Sequence, residues 1–152
     1  MKKTVSLVLV LSMIAVAVIG FGAAANAQTL SNTEKALALI NAFATGDADM
    51  ARSLLAEDYI QHNLAYGTGA DAFVGSVEYL ASAEVKTTVN NIRAFEDGDK
   101  VFLQTVYNFA GAGEQVAFDI FRIDENGRIA EHWDVMETIA DEATWQNQNG
   151  KF

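Results

Sequence analysis

The chain has 152 residues, 10 Lys and Arg against 20 Asp and Glu, a formal net charge of −10, and neither cysteine nor proline. That length supports one ordinary domain, and the acidity argues against nucleic acid or an anionic membrane surface as partner, because such binding rests on clustered Lys and Arg. Without cysteine there is no disulfide framework, lipoprotein attachment site or thiol chemistry.

The first residues read Met1-Lys2-Lys3, followed by an uncharged run to Ala25 and the small-x-small set Ala25-Asn26-Ala27. This order predicts a signal peptide over residues 1–27, a single mature domain over 28–152, and export to a periplasmic or secreted location. A retained anchor is the alternative, since the run approaches the roughly 20 apolar residues of a spanning helix. Gly20, Gly22 and the alanines before the cut site favour cleavage, after which no stable membrane association is expected.

Ser31-x-x-Glu34 reads as a capping box ahead of Leu37, Ile40, Phe43 and Ala44 at helical spacing, with Gly46 as the stop. Asp47 then caps a second short helix carrying Met50, Leu54 and Leu55, which runs out near Asp58. The following Tyr59-Ile60-Gln61-His62-Asn63 has no period. A third helix is predicted from about Ala70 to Leu80, with Phe73, Val77 and Leu80 as its stripe and Gly75 as a weak point.

From Val85 the pattern turns to β-branched and aromatic runs, giving strands at roughly 85–95, 100–109, 115–123 and 128–136. Asp97-Gly98 and Asn126-Gly127 supply the positive φ that tight hairpins need. Helices first and an antiparallel meander afterwards predict an α+β fold, with the helices packed on one face of a curved sheet. The tail from Asp141 to Phe152 is polar and carries no clear element.

Alternation places Asp119 on an apolar row with Ala117, Phe121 and Ile123, and groups His132 with Ala130, Asp134 and Met136. A two- or four-residue loop at Asn126-Gly127 would put Asp119 on the face of His132 and Asp134; a three-residue loop with a bulge would bring Glu131 and Trp133 there instead. The first register is preferred, because it leaves Ile129, Trp133 and Val135 to pack against the helices or a partner subunit. Two carboxylates and an imidazole in a hollow suit acid–base work, because burial raises a carboxylate's proton affinity and an imidazolium lowers it. A metal site built from His62, His132, Asp119 and Asp134 lacks any close-spaced ligand pair, so no metal is expected. Neither a nucleophile elbow nor a glycine-rich phosphate loop is present, so no nucleotide cofactor is implied.

Tyr59-Ile60-Gln61-His62-Asn63, Asp119-Ile120-Phe121-Arg122-Ile123, Asn126-Gly127-Arg128-Ile129, Glu131-His132-Trp133-Asp134-Val135 and the ending Asn147 to Phe152 together resemble the SnoaL-like proteins of the nuclear transport factor 2-like superfamily. The resemblance spans essentially the whole mature chain. It implies a cone of helices closed by a curved antiparallel sheet, a deep pocket, and dimerisation through the sheet. The namesake enzymes are polyketide cyclases that close a ring by intramolecular aldol condensation, without metal or organic cofactor, using an acidic residue. By that resemblance the catalytic candidates are Asp119, His132, Asp134 and His62, and the substrate contacts are Asn63, Tyr59, Trp133, Tyr107 and Gln104. Leu64 stands where a proline usually follows His-Asn, and Gln104 where a histidine often occupies the second strand. The expected activity is proton abstraction α to a carbonyl in a small hydrophobic ligand. A non-catalytic module that binds a ligand or a protein is the rival, and the superfamily's many chemistries leave the choice to the site.

Overall fold

The computed structural model describes residues 29–152, so the expected signal peptide lies outside the described residues. In chain order the elements are α1 (Asn32–Thr45), α2 (Ala48–Leu54), β1 (Leu55–Gln61), α3 (Ala70–Ser82), β2 (Thr88–Asp97), β3 (Lys100–Asn108), β4 (Gln115–Ile123) and β5 (Ile129–Thr138). The three helices pack on a five-stranded sheet of order β1-β5-β4-β3-β2. Among the described residues no helix is long and apolar enough to cross a membrane.

Local chemistry explains the helix ends. Ser31 and Glu34 form the reciprocal capping box, and Asp47 accepts from the Met50 N–H to start α2. Gly46 ends α1 in the left-handed region at φ 73°, where a Cβ would also lie 2.7 Å from the Cβ of Ala81. Two independent constraints thus demand glycine there. α2 stops at Leu54, four residues before the expected Asp58, because the chain passes directly into β1.

That strand corrects the expected topology. β2 to β5 form the antiparallel meander, but β1 pairs parallel with β5, making the sheet mixed. β1 escapes pattern recognition because its register shifts between Leu55 and Ile60 and its burial does not alternate. The core lies between the helices and the inner face, where Leu39, Leu54, Val77, Val101, Phe121 and Ile129 are buried.

The β4–β5 turn decides which side chains enter the hollow. The Asp124 N–H donates to the Arg128 carbonyl at 2.8 Å and the Gly127 N–H to the Asp124 carbonyl at 3.0 Å. These bonds close a loop of three residues, with Gly127 at φ 74°. A three-residue loop with a bulge is the arrangement expected to flip the register, yet the faces do not flip. Ala130 has no ladder partner between the Ile123–Ile129 and Arg122–Glu131 pairs, and this bulge shifts the parity back. Asp119 consequently opposes Asp134, and Phe121 opposes His132. Ile129 enters the core, whereas Val135 remains exposed on the outer face.

The tail contains one short 3-10 turn, Glu142–Thr144, capped by Asp141. Beyond it, Lys151 accepts from Gln104 through its carbonyl at 3.1 Å and pairs with Glu137 through Nζ at 2.5 Å.

Candidate active site

Inward-facing residues of β4 and β5 meet the end of β1 at the floor of a cavity of about 470 Å³. This volume falls in the range of small-molecule pockets. Its walls are aromatic. Tyr107 stacks on Phe109 with centroids 5.0 Å apart, Phe43 meets Phe109 edge-on at 5.6 Å, and Phe43 packs on Phe73 at 5.0 Å. Tyr66 and Tyr79, both at least half exposed, stand among the outer lining.

On the floor, His132 is 6% exposed and stacked on Phe121 at 4.3 Å. Its Nε2 lies 3.2 Å from Asp119 Oδ1 and 3.8 Å from Asp134 Oδ2. Asp119 receives a second hydrogen bond, from the Tyr107 hydroxyl to Oδ2 at 3.0 Å. Asn63 Nδ2 donates to Asp134 Oδ1 at 2.5 Å.

The proton on the imidazole can be assigned from these partners. Gln61 Oε1 accepts from the Asn63 backbone N–H at 2.9 Å, which turns the Gln61 amino group toward His132 Nδ1 at 3.0 Å. An NH₂ group can only donate, so Nδ1 is the acceptor and the hydrogen sits on Nε2. His132 is therefore a neutral imidazole that points its N–H at two carboxylates. The same amino group lies 3.3 Å from the Tyr59 hydroxyl.

The two carboxylates are not equivalent. Both Asp119 oxygens are taken by donors, whereas Asp134 keeps Oδ2 facing the cavity with His132 Nε2 at 3.8 Å. Burial raises the proton affinity of Asp134; the Asn63 hydrogen bond opposes this, and the charge of Asp119 adds to it. Burial together with the Asp134 charge also pushes the Tyr66 hydroxyl up, and Tyr59 and Tyr107 are raised by burial and by both aspartates. Groups with such opposed environments are what acid–base sites are built from.

A divalent cation could be reached by Asp119, His132 and Asp134, whose ligand atoms lie within 4.8 Å of one another. The surrounding hydrogen bonds work against it. A metal on Nε2 would move the ring hydrogen to Nδ1, where it would face the Gln61 amino group.

Asp119, His132, Asp134 and Tyr107 thus line one hollow, with Asn63 bonded to its rim. Other expected contacts lie elsewhere. His62 and Trp133 stack on each other at 4.5 Å outside the cavity lining, with His62 Nε2 3.6 Å from Glu131. Gln104 faces the outer side, because its β4 neighbour is the exposed Phe118, and it holds the tail. Tyr59 is buried beneath the floor, where it meets Gln61. Missing from the expected set are Gln61, which fixes the imidazole tautomer, and Tyr66. The unperiodic stretch 59–63 hid the first, and no local pattern marks the second.

The SnoaL-like domain family profile matches residues 36–132. No curated protein matches the chain. Among solved structures, an NTF2-like protein from Cytophaga hutchinsonii aligns with TM-score 0.61 and 18% identity over 71% of this chain and 91% of that one. A LEH-like epoxide hydrolase from M. tuberculosis gives TM-score 0.61 and 19% identity over 70% and 82%. IdmH, a candidate polyketide cyclase from Streptomyces antibioticus, gives 0.57 and 21% over 71% and 93%. At these identities the structural likeness establishes the fold, and together with the profile match it shows that the chain belongs to the SnoaL-like family of the NTF2-like fold.

Proposed function

We propose that the protein is a cofactor-independent enzyme that removes a proton α to a carbonyl of a small hydrophobic substrate, in an aldol-cyclase or isomerase type of reaction. One observation carries the reading: Asp134 presents a carboxylate oxygen to an aromatic cavity, with raised proton affinity and a neutral imidazole N–H beside it. Asp134 is the base. Asp119 anchors His132 and Tyr107, since both its oxygens are committed. The His132 N–H and the Tyr66 hydroxyl are the donors available to a developing enolate oxygen.

A direct test is deuterium uptake at the α-carbon of indanone in deuterium oxide, followed by NMR. Asp134→Asn should slow the exchange by roughly 10²- to 10⁴-fold while preserving the folded circular dichroism spectrum. Exchange at the wild-type rate in the variant would remove Asp134 from the role.

A second reading is addition of water to a strained ring, the class of reaction named for the M. tuberculosis neighbour. The Asn63–Asp134 contact favours it, because an amide and a carboxylate together can hold a water molecule. It ranks second because Asp119, the group left to act as acid, already accepts two hydrogen bonds.

Export of the mature domain and pairing of two copies through the sheet belong to the same proposal. The outer face supports pairing, with Phe95 63%, Phe102 38%, Phe118 57% and Val135 73% exposed on the adjoining strands β2, β3, β4 and β5. N-terminal sequencing of the exported protein should begin at Gln28, and Phe118→Lys should halve the mass measured by light scattering.

A further inference from the structure

The cavity has a charge problem that its own residues leave unsolved. Its lining contains two carboxylates, Asp119 and Asp134, and neither Lys nor Arg. The one basic side chain present, His132, is neutral by its hydrogen bonds. The ion-paired Lys and Arg side chains among the described residues belong to other places: Arg122 pairs with Glu131, Arg52 with Asp71, Lys100 with Asp99, and Lys151 with Glu137. Both carboxylate side chains are almost fully enclosed, at 4% and 6% exposed. Two negative charges in a water-poor enclosure repel each other and have lost their hydration, so such a site gains from any positive charge that enters it.

The walls suit the same guest. Tyr107, Phe109, Phe43 and Phe73 form a connected aromatic surface, and Tyr107 also touches Asp119 through its hydroxyl. Faces of aromatic rings attract an alkylammonium group and shelter its carbon skeleton. The chain's net charge of −10 would draw cations toward the opening and hold anions away.

We infer that the cavity selects a hydrophobic ligand bearing a protonated amine, its ammonium group lodged against the Tyr107–Phe109 wall within the field of Asp119 and Asp134. The inference rests on the same site as the proton-transfer reading and adds the ligand's charge class. In a substrate that carries both groups, the ammonium would stand where the counter-cation is missing while the carbonyl side meets Asp134. Carboxylates, phosphates and thioesters of acidic carriers are excluded from the pocket by the same field.

The test compares three ligands of one shape by titration calorimetry with the full protein at about 0.15 M salt, where surface attraction is screened beyond about 8 Å. Aminoindan is cationic near neutral pH, indanol is its neutral analogue, and indane carboxylate is the anion. Aminoindan should bind at least tenfold more tightly than indanol, and the carboxylate should not bind measurably. Phe109→Leu lies outside the hydrogen-bonded floor and should weaken aminoindan about three- to tenfold, with a smaller effect on indanol. Leu80→Trp, which fills the cavity, should abolish binding of both; retained aminoindan binding in that variant would place it on the acidic surface and overturn the inference. Equal or tighter binding of indanol by the wild type would overturn it as well. Indanone exchange that depends on Asp134, combined with no preference for the amine, would leave the proton-transfer reading standing and remove this one. An amine preference without any exchange would do the reverse.

Discussion

β5 exposes two surfaces one residue out of phase, and each holds a histidine–carboxylate contact beside an aromatic ring. On the inner face His132 meets Asp119 at 3.2 Å under the ring of Phe121, and both ring nitrogens and both Asp119 oxygens have defined partners. On the outer face His62 meets Glu131 at 3.6 Å beside Trp133, with 40% of the histidine side chain exposed. The residue types are nearly the same, and the surroundings are not. Water screens the outer contact and leaves it worth little, whereas the inner one sits where charge and proton position count. The direction of the pleat decides which of two similar pairs is enclosed.

The largest way to break that contrast is to exchange the histidines' fates. His132→Ala should reduce indanone exchange by about 10²-fold or more, while His62→Ala should change it less than about twofold, as read by initial rates. Comparable losses in both would mean that the outer histidine takes part in the chemistry. Stability should divide along the same line. Ile129, fully buried at the start of β5, should cost about 2–5 kcal/mol as Ile129→Ala in urea melts. The exposed Val135→Ala should remain within about 0.5 kcal/mol of wild type.

A subtler effect follows from Asp134. Because burial raises its proton affinity, the folded state holds that proton more tightly than the unfolded chain does. Wild-type stability is therefore lost as pH rises from the ordinary value of 3.8 through the raised folded value. Asp134→Asn has no such loss, so its melting temperature should gain on wild type between pH 4 and pH 7. A gap that narrows over that range would contradict the raised affinity. A small gain is expected from Gly75→Ala on α3, where an added Cβ meets nothing within 4 Å. It should stabilise the helix by about 0.5–1 kcal/mol in urea melts.

Much of this was legible in the residues. Capping chemistry set the starts of α1 and α2, and the Asp97-Gly98 and Asn126-Gly127 turns set the meander. Alternation along β4 and β5 grouped Asp119 with His132 and Asp134. The effect of the bulge at Ala130 was not legible: a three-residue loop and an unpaired alanine each shift the parity, and only together do they restore it. β1 was missed because parallel pairing with β5 is a long-range fact, invisible to a local window. With it went Gln61 and the outward placement of His62. Gln104 was expected in the pocket by likeness alone, and the pleat of β3 turns it outward to the tail.

β1 occupies one border of the sheet, paired on a single side and broken in register after Leu55. Gln61 at its end and Asn63 just beyond it hold the imidazole hydrogen and Asp134 in place. Border strands are the first to fray, since half of their backbone groups lack a ladder partner. Brief detachment of this ribbon would let His132 exchange tautomers and would free Asp134 while the four-stranded meander stayed folded. Amide hydrogen exchange that runs faster at residues 60–62 than in β4 would mark this as the step where the proposed site comes apart, well short of global unfolding.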